Sequence, residues 1–143
     1  MSASSSSRKP FKTTIAPNLS VVNGFAAVEF YKAAFGAIEL YRLDAGDGQV
    51  AVAQLSIAGA EFWLAEESTN NSNPQSPARP SVRMLLTVEN PDAFFERAIP
   101  AGATEVYAVH EEHGWRSGVV VDPDGHWWEI AKPLVTWPPD SAT

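Results

Sequence analysis

The chain carries one six-residue phrase twice, and that duplication limits what it can fold into. Gly36-Ala37-Ile38-Glu39-Leu40-Tyr41 returns as Gly102-Ala103-Thr104-Glu105-Val106-Tyr107, with four of the six residues identical. The Leu/Val exchange keeps an apolar side chain, and the Ile/Thr exchange keeps β-branching. The same offset of 66 carries Gly59 onto Gly125, Leu64 onto Ile130 and Ala65 onto Ala131. Solenoid repeats run to roughly 50 residues, so this period is too long for one. Two copies of one supersecondary module are expected, sharing a core and enclosing a pocket between matching faces.

Composition sets the scale. With 143 residues, 45% of them hydrophobic, the chain can bury one core but hardly two independent ones. A net charge of −7 offers nothing to neutralise a row of phosphates, which excludes a nucleic-acid partner and suits a neutral or cationic ligand. The absence of cysteine excludes disulfides and thiolate chemistry. Arg8 and Lys9 are followed by no apolar h-region, and no apolar run reaches the ~20 residues of a membrane helix. A soluble cytoplasmic domain without a membrane partner is expected.

Periodicity fills in the modules. A strand is read over Thr13–Val22, followed by a helix over Phe25–Phe35 with Val28, Tyr31 and Phe35 on one stripe. Gly36 suits a left-handed C-cap. Strands follow at Ile38–Leu43, Gln49–Ile57 and Glu61–Ala65. The second copy reads as a strand Val82–Val88, a helix Pro91–Ile99, and strands Thr104–Val109, Trp115–Val121 and His126–Ala131. Asp122-Pro123-Asp124-Gly125 has the residue chemistry of a tight turn. The expected fold class is α+β: two βαβββ modules whose mixed sheets curve into cups, with the helices on the outer face. The single domain spans 11–134, with module one at 11–66, a polar linker at 67–80 and module two at 81–134. Residues 1–10 and 135–143 read as tails.

Two stretches, Ala27-Val28-Glu29-Phe30-Tyr31-Lys32-Ala33-Ala34-Phe35-Gly36-Ala37 and Asp122-Pro123-Asp124-Gly125-His126-Trp127-Trp128-Glu129-Ile130, resemble the vicinal oxygen chelate superfamily. That superfamily includes glyoxalase I, bleomycin-resistance proteins, fosfomycin-resistance enzymes and extradiol dioxygenases. Together with Arg116-Ser117-Gly118, these motifs are most similar to its PhnB-like branch. The resemblance implies a metal held by four His, Gln or Glu ligands on the first and last strands of each module. Here those positions fall on Ala16 (or Pro17), Trp63, Arg83 and Glu129, and only Glu129 is of the implied type. A guanidinium repels a metal and one carboxylate does not hold it, so no metal and no other cofactor is expected. His110-Glu111-Glu112-His113 supplies four donors in a row, but reads as a solvated acidic turn.

Strand alternation assigns the faces. Phe62, Leu64, Trp128 and Ile130 should enter the core, and Glu61, Trp63, Trp127 and Glu129 the cups. Asn18 and Ser20 join the first cup; Arg83, Leu85 and Thr87 join the second. Arg83 and Glu129 are expected to form an ion pair where metal-dependent relatives share a cation. Trp63, Trp115 and Trp127 could stack on a planar or cationic ligand, and Arg116 beside Trp115 is counted among the ligand-binding residues. The leading function is a metal-free protein that binds a small molecule, sequestering a drug or metabolite. The resemblance implies that such proteins pair as homodimers around an aromatic-lined groove. The alternative is a lyase, isomerase or dioxygenase-like enzyme on a small oxygenated substrate. In it, Glu129 would serve as base or metal ligand and Arg83 would hold an oxyanion.

Overall fold

The computed structural model of the chain describes residues 11, 13–67 and 82–135. The expected N-terminal tail, and all but the first residue of both the linker and the C-terminal tail, lie outside the described residues. Module one runs β1 (Asn18–Val21), α1 (Gly24–Phe35), β2 (Ile38–Gly46), β3 (Gln49–Ile57) and β4 (Ala60–Glu66). Module two runs β5 (Met84–Thr87), α2 (Pro91–Ala101), β6 (Thr104–Glu112), β7 (Trp115–Val121) and β8 (Trp127–Pro133). Each module forms one four-stranded mixed sheet, ordered β1-β4-β3-β2 and β5-β8-β7-β6. The duplication read from sequence is therefore a duplication of topology, and the expected α+β fold of two βαβββ modules is present.

Boundaries differ from expectation where pairing decides them. Only four residues of β1 lie against β4, in parallel, so the strand expected from Thr13 begins at Asn18. β6 runs on to Glu112 because Glu111 and Glu112 pair with Arg116 and Trp115, which turns the expected acidic loop into strand. α2 passes through Pro100 to Ala101. Proline is tolerated there because the last turn closes through Gly102 N–H to the Ile99 carbonyl and Ala103 N–H to the Ala98 carbonyl.

Both helices start with the same device. The Asn23 side chain accepts from Ala26 N–H at 2.9 Å, and the Asn90 side chain from Ala93 N–H at 3.1 Å. α1 stops at Gly36, whose φ of 70° places it in the left-handed region. Gly24 opens α1 for a steric reason: a Cβ there would overlap the Val50 carbonyl oxygen.

One core serves both modules. Trp128 of β8 sits 5.4 Å from the Tyr31 ring, 5.0 Å from Phe35 and 5.4 Å from Phe62, all residues of module one. Edge and tilted contacts of this kind contribute about 0.5–1.5 kcal/mol each beyond the area they bury. Beside them lies Asp122, at 3% exposure. Its carboxylate accepts from the Tyr31 hydroxyl, from Trp128 Nε1–H at 3.0 Å, and from the amides of Asp124 and His126 at 3.0 and 2.9 Å. Burial, and then the Asp122 charge, push the Tyr31 hydroxyl well above its ordinary value, so it remains a donor. The turn that Asp122 organises caps the outer edge of β1. Asp124 accepts from Val22 N–H at 2.9 Å, and His126 Nε2–H donates to the Ser20 carbonyl at 2.8 Å. Arg97 of α2 completes the clasp by donating to the Ala33 carbonyl at the C-terminal end of α1, at 2.8 Å.

Asp122→Ala would strand four donors, two of them buried side chains, and should cost about 3–5 kcal/mol. Tyr31→Phe should cost about 1.5–3 kcal/mol, the loss of one hydrogen bond to a charged group. Urea unfolding followed by tryptophan fluorescence reads both; a wild-type midpoint for Asp122→Ala would refute the clasp.

Candidate functional site

The face of each sheet away from its helix is built by register, and an irregularity repeated in both modules alters it. Glu39 pairs with Leu55, yet Tyr41 pairs with the next residue, Gln54. In module two Glu105 pairs with Val120 and Tyr107 with Val119. Two residues on one strand thus advance against a single step on its partner, a bulge that breaks the alternation of faces. Glu39 stays on the helix side, where Arg42 and Lys32 hold its carboxyl below the ordinary range. Tyr41 and Tyr107 swing to the concave side, 48% and 52% exposed. Simple alternation would have put each tyrosine with its glutamate.

On sheet two the concave side lines an open cavity of about 530 Å³. One row across it is Tyr107, Val119, Glu129 and Leu85; the next is His110, Ser117, Ala131 and Thr87. Glu112 and Trp115 pair at its far end. Arg83 enters just ahead of β5, its Nη2 3.2 Å from Glu129 Oε1. The expected ion pair is formed, with side chains 38% and 24% exposed, so the cavity keeps two opposite charges accessible among aromatic, aliphatic and further polar side chains.

The candidate residues named from sequence separate into four places. Arg83, Trp115 and Glu129 line this cavity. Trp127 shares the face but sits one row away, paired with Val121 and outside the cavity lining. Asn18, Ser20, Glu61 and Trp63 lie on the concave side of sheet one. There the Trp63 ring is 6.0 Å from Tyr41, and Gln54 Nε2–H donates to Glu61 at 3.2 Å. Arg116 is a correction. It alternates with Trp115 and Ser117 and so faces the helix side, where its guanidinium grips Asp92 through Nε and Nη2, both at 2.7 Å. Asp92 in the first turn of α2 is held below the ordinary carboxylate range by that bond, and Arg116 also reaches Glu111 at 3.3 Å.

The His110-Glu111-Glu112-His113 run is solvated as expected, its side chains 52–86% exposed, but its first three residues belong to β6. His110, Glu112 and His113 all border the cavity. Glu112 bridges the two rings, Oε1 at 3.1 Å from His110 Nε2 and Oε2 at 3.3 Å from His113 Nε2. His113 takes a left-handed backbone at φ 53° in the β6–β7 hairpin and stands at the rim of the cavity with its side chain 86% exposed. The sequence held a trace of Tyr107, since it sits inside the repeat; nothing in the spacing placed His113.

A family model described as the Glyoxalase/Bleomycin resistance protein/Dioxygenase superfamily matches residues 15–130. The chain belongs to this superfamily. It is 37% identical over 126 residues to an uncharacterized protein of Mycobacterium tuberculosis, covering 84% of this chain and 74% of that protein. It is similar to a solved gene product of Arabidopsis thaliana, with a TM-score of 0.65 and 30% identity over 85% of this chain and 99% of the other. TioX from Micromonospora sp. ML1 shares the fold with a TM-score of 0.69 at 23% identity, covering 86% of this chain and 100% of TioX. The fosfomycin resistance protein FosX of Listeria monocytogenes does so at 0.65 and 20%, covering 90% of this chain and 97% of FosX.

The metal that the superfamily implies does not fit the residues at the corresponding positions. Trp63 and Ala16 offer no donor, and the Arg83 guanidinium already occupies the Glu129 carboxylate. Among the described residues no three His, Asp or Glu side chains converge as a metal site. None of the described helices is long and apolar enough to cross a membrane.

Arg116→Ala should leave ligand access to the cavity unchanged and lower the thermal midpoint only modestly at neutral pH. Asp92 is depressed in the folded state, so its contribution is present above the ordinary carboxylate pKa and lost as pH falls through the lowered value. The gap between wild type and variant should therefore close in acid, as scanning calorimetry across pH would show. An undiminished gap at the acid end would refute the assignment.

Proposed function

We propose that this chain binds a small organic molecule in the cup of sheet two without a metal, holding it rather than converting it. The observation that carries this reading is the cavity of about 530 Å³, whose wall combines Tyr107, Trp115, Leu85 and Val119 with the Arg83–Glu129 pair. A concave, mostly apolar site with a few placed charges is the usual form of a small-molecule pocket. Similarity to a fosfomycin resistance protein supports a drug or an oxygenated metabolite as the class of ligand. The active unit in this reading is a cytoplasmic homodimer. Sheet one presents Ile38, Tyr41 and Leu43, each about half exposed or more, beside Trp63 on its concave side, and a second copy would cover them. The resemblance of the motifs around Tyr31 and Asp122 supports, within this reading, membership of the PhnB-like branch.

A second reading is favoured by one feature, the position of Glu129 inside the cavity with Arg83 beside it. An enzyme of the lyase, isomerase or dioxygenase-like type would use the carboxylate as base and the guanidinium to hold an oxyanion.

Titration of a panel of planar and basic antibiotics into the protein, read by tryptophan fluorescence, tests the binding reading. Trp115→Leu and Tyr107→Leu should each weaken a bound compound by roughly ten-fold, equivalent to about 1.4 kcal/mol, with the fold intact by circular dichroism. Compounds recovered chemically unchanged favour sequestration; turnover abolished by Glu129→Gln would favour the enzyme. Light scattering should give twice the chain mass, and a monomer at micromolar concentration would refute the homodimer.

A further inference from the structure

Both ring nitrogens of His110 face oxygens that can only accept. Nδ1 is 3.1 Å from the Ala108 carbonyl oxygen, and Nε2 is 3.1 Å from Glu112 Oε1. A neutral imidazole has one N–H and one lone pair and satisfies one of these contacts; the imidazolium satisfies both. The Ala108 carbonyl, and then Glu112, hold the ring above its ordinary value. These contacts favour the imidazolium form of His110, a half-exposed ring on the cavity wall, and its partner is the carboxylate paired across the hairpin with Trp115.

The surroundings show what its proton controls. The other charges on this wall are Arg83 and Glu129, which neutralise each other. Glu111, Arg116 and Lys132 form the neighbouring row on the opposite face. His113 contacts the other oxygen of Glu112 from the hairpin tip. With His110 charged, it and Arg83 balance Glu112 and Glu129. When His110 loses its proton, one negative charge is left over, and it resides on Glu112 beside the Trp115 indole and on the same wall as Tyr107. A carboxylate with an aromatic cross-strand neighbour, on a wall that also carries Tyr107, is the chemistry that recognises an ammonium group.

Resting on the small-molecule reading above, we propose that Glu112 and Trp115 form the subsite for a ligand's ammonium group, and that His110 is its proton switch. Below the His110 titration the imidazolium occupies Glu112; above it the carboxylate turns to the ligand. A cationic ligand is held at neutral to alkaline pH and released on acidification. One coupled proton limits the effect to about ten-fold per pH unit.

The test uses phenyltrimethylammonium, whose charge is independent of pH, against its neutral isostere tert-butylbenzene, both titrated into the full-length protein by calorimetry. Between about pH 5.5 and 8.5 the affinity for the cation should rise roughly three- to ten-fold, while the isostere binds equally at both ends. His110→Gln should flatten the profile at the high-affinity level, His113→Gln should keep most of the slope, and Glu112→Gln should remove the preference for the cation. In the ligand-free protein, the His110 ring followed by NMR should titrate above about 6.5, and lower in Glu112→Gln. A flat profile in the wild type, or an unchanged slope in His110→Gln, overturns the switch. Binding of the isostere with no cation preference sinks the subsite and leaves the cavity reading standing; binding of neither compound sinks both.

Discussion

The buried carboxylate of Asp122 is the constraint on which the rest of this structure depends. An isolated charge taken out of water costs several kcal/mol, so it persists only where donors surround it. Here the donors come from both modules: Tyr31 of α1 on one side, Trp128 and two turn amides on the other. Satisfying one anion thereby fixes how the first helix meets the last strand. Asp124 and His126 of the same turn then occupy the Val22 N–H and Ser20 carbonyl on the outer edge of β1, groups that would otherwise present an open strand edge. The corresponding turn of module one, Ala58-Gly59, carries neither an acid nor a histidine. The clasp runs in one direction, from module two to module one.

With the helices and aromatic rings committed to that shared core, the concave sides of the sheets are free to diverge. They hold different chemistry at equivalent places, Trp63 in one and Glu129 in the other, while the tyrosine of the repeated phrase occupies the same position in both. Once Arg83 stands opposite Glu129, the pair supplies internally the neutralisation that a bound cation supplies elsewhere in the superfamily. The consequence is a pocket with aromatic walls and accessible charges, suited to recognition by shape, stacking and ion pairing.

Much of this was legible in the sequence. Tyr31 and Phe35 fell on one helical stripe, Trp128 and Ile130 on one strand face, and the Arg83–Glu129 pair followed from strand periodicity combined with family spacing. Three features were hidden. Arg116 was grouped with Trp115 although adjacent strand residues face opposite ways, and its partner Asp92 lies on a helix that spacing along β7 could not locate. The concave position of Tyr41 and Tyr107 was hidden because a bulge leaves no mark in the residue pattern; it exists only as a shift between paired strands. The histidine cluster is solvated as its composition implied, but its place on β6 beside the cavity was hidden because the extent of β6 is set by pairing with β7.

The sequence by itself determined the duplication, the βαβββ order, the core stripe and the unsuitability of the implied ligand positions for a metal. Those properties are local or periodic and can be read from one strand or helix at a time. Tertiary structure alone decided that both tyrosines face the cups, where Arg116 points and that His110 and His113 share Glu112. Each depends on register between strands or on contact across modules, where a one-residue shift reverses the face.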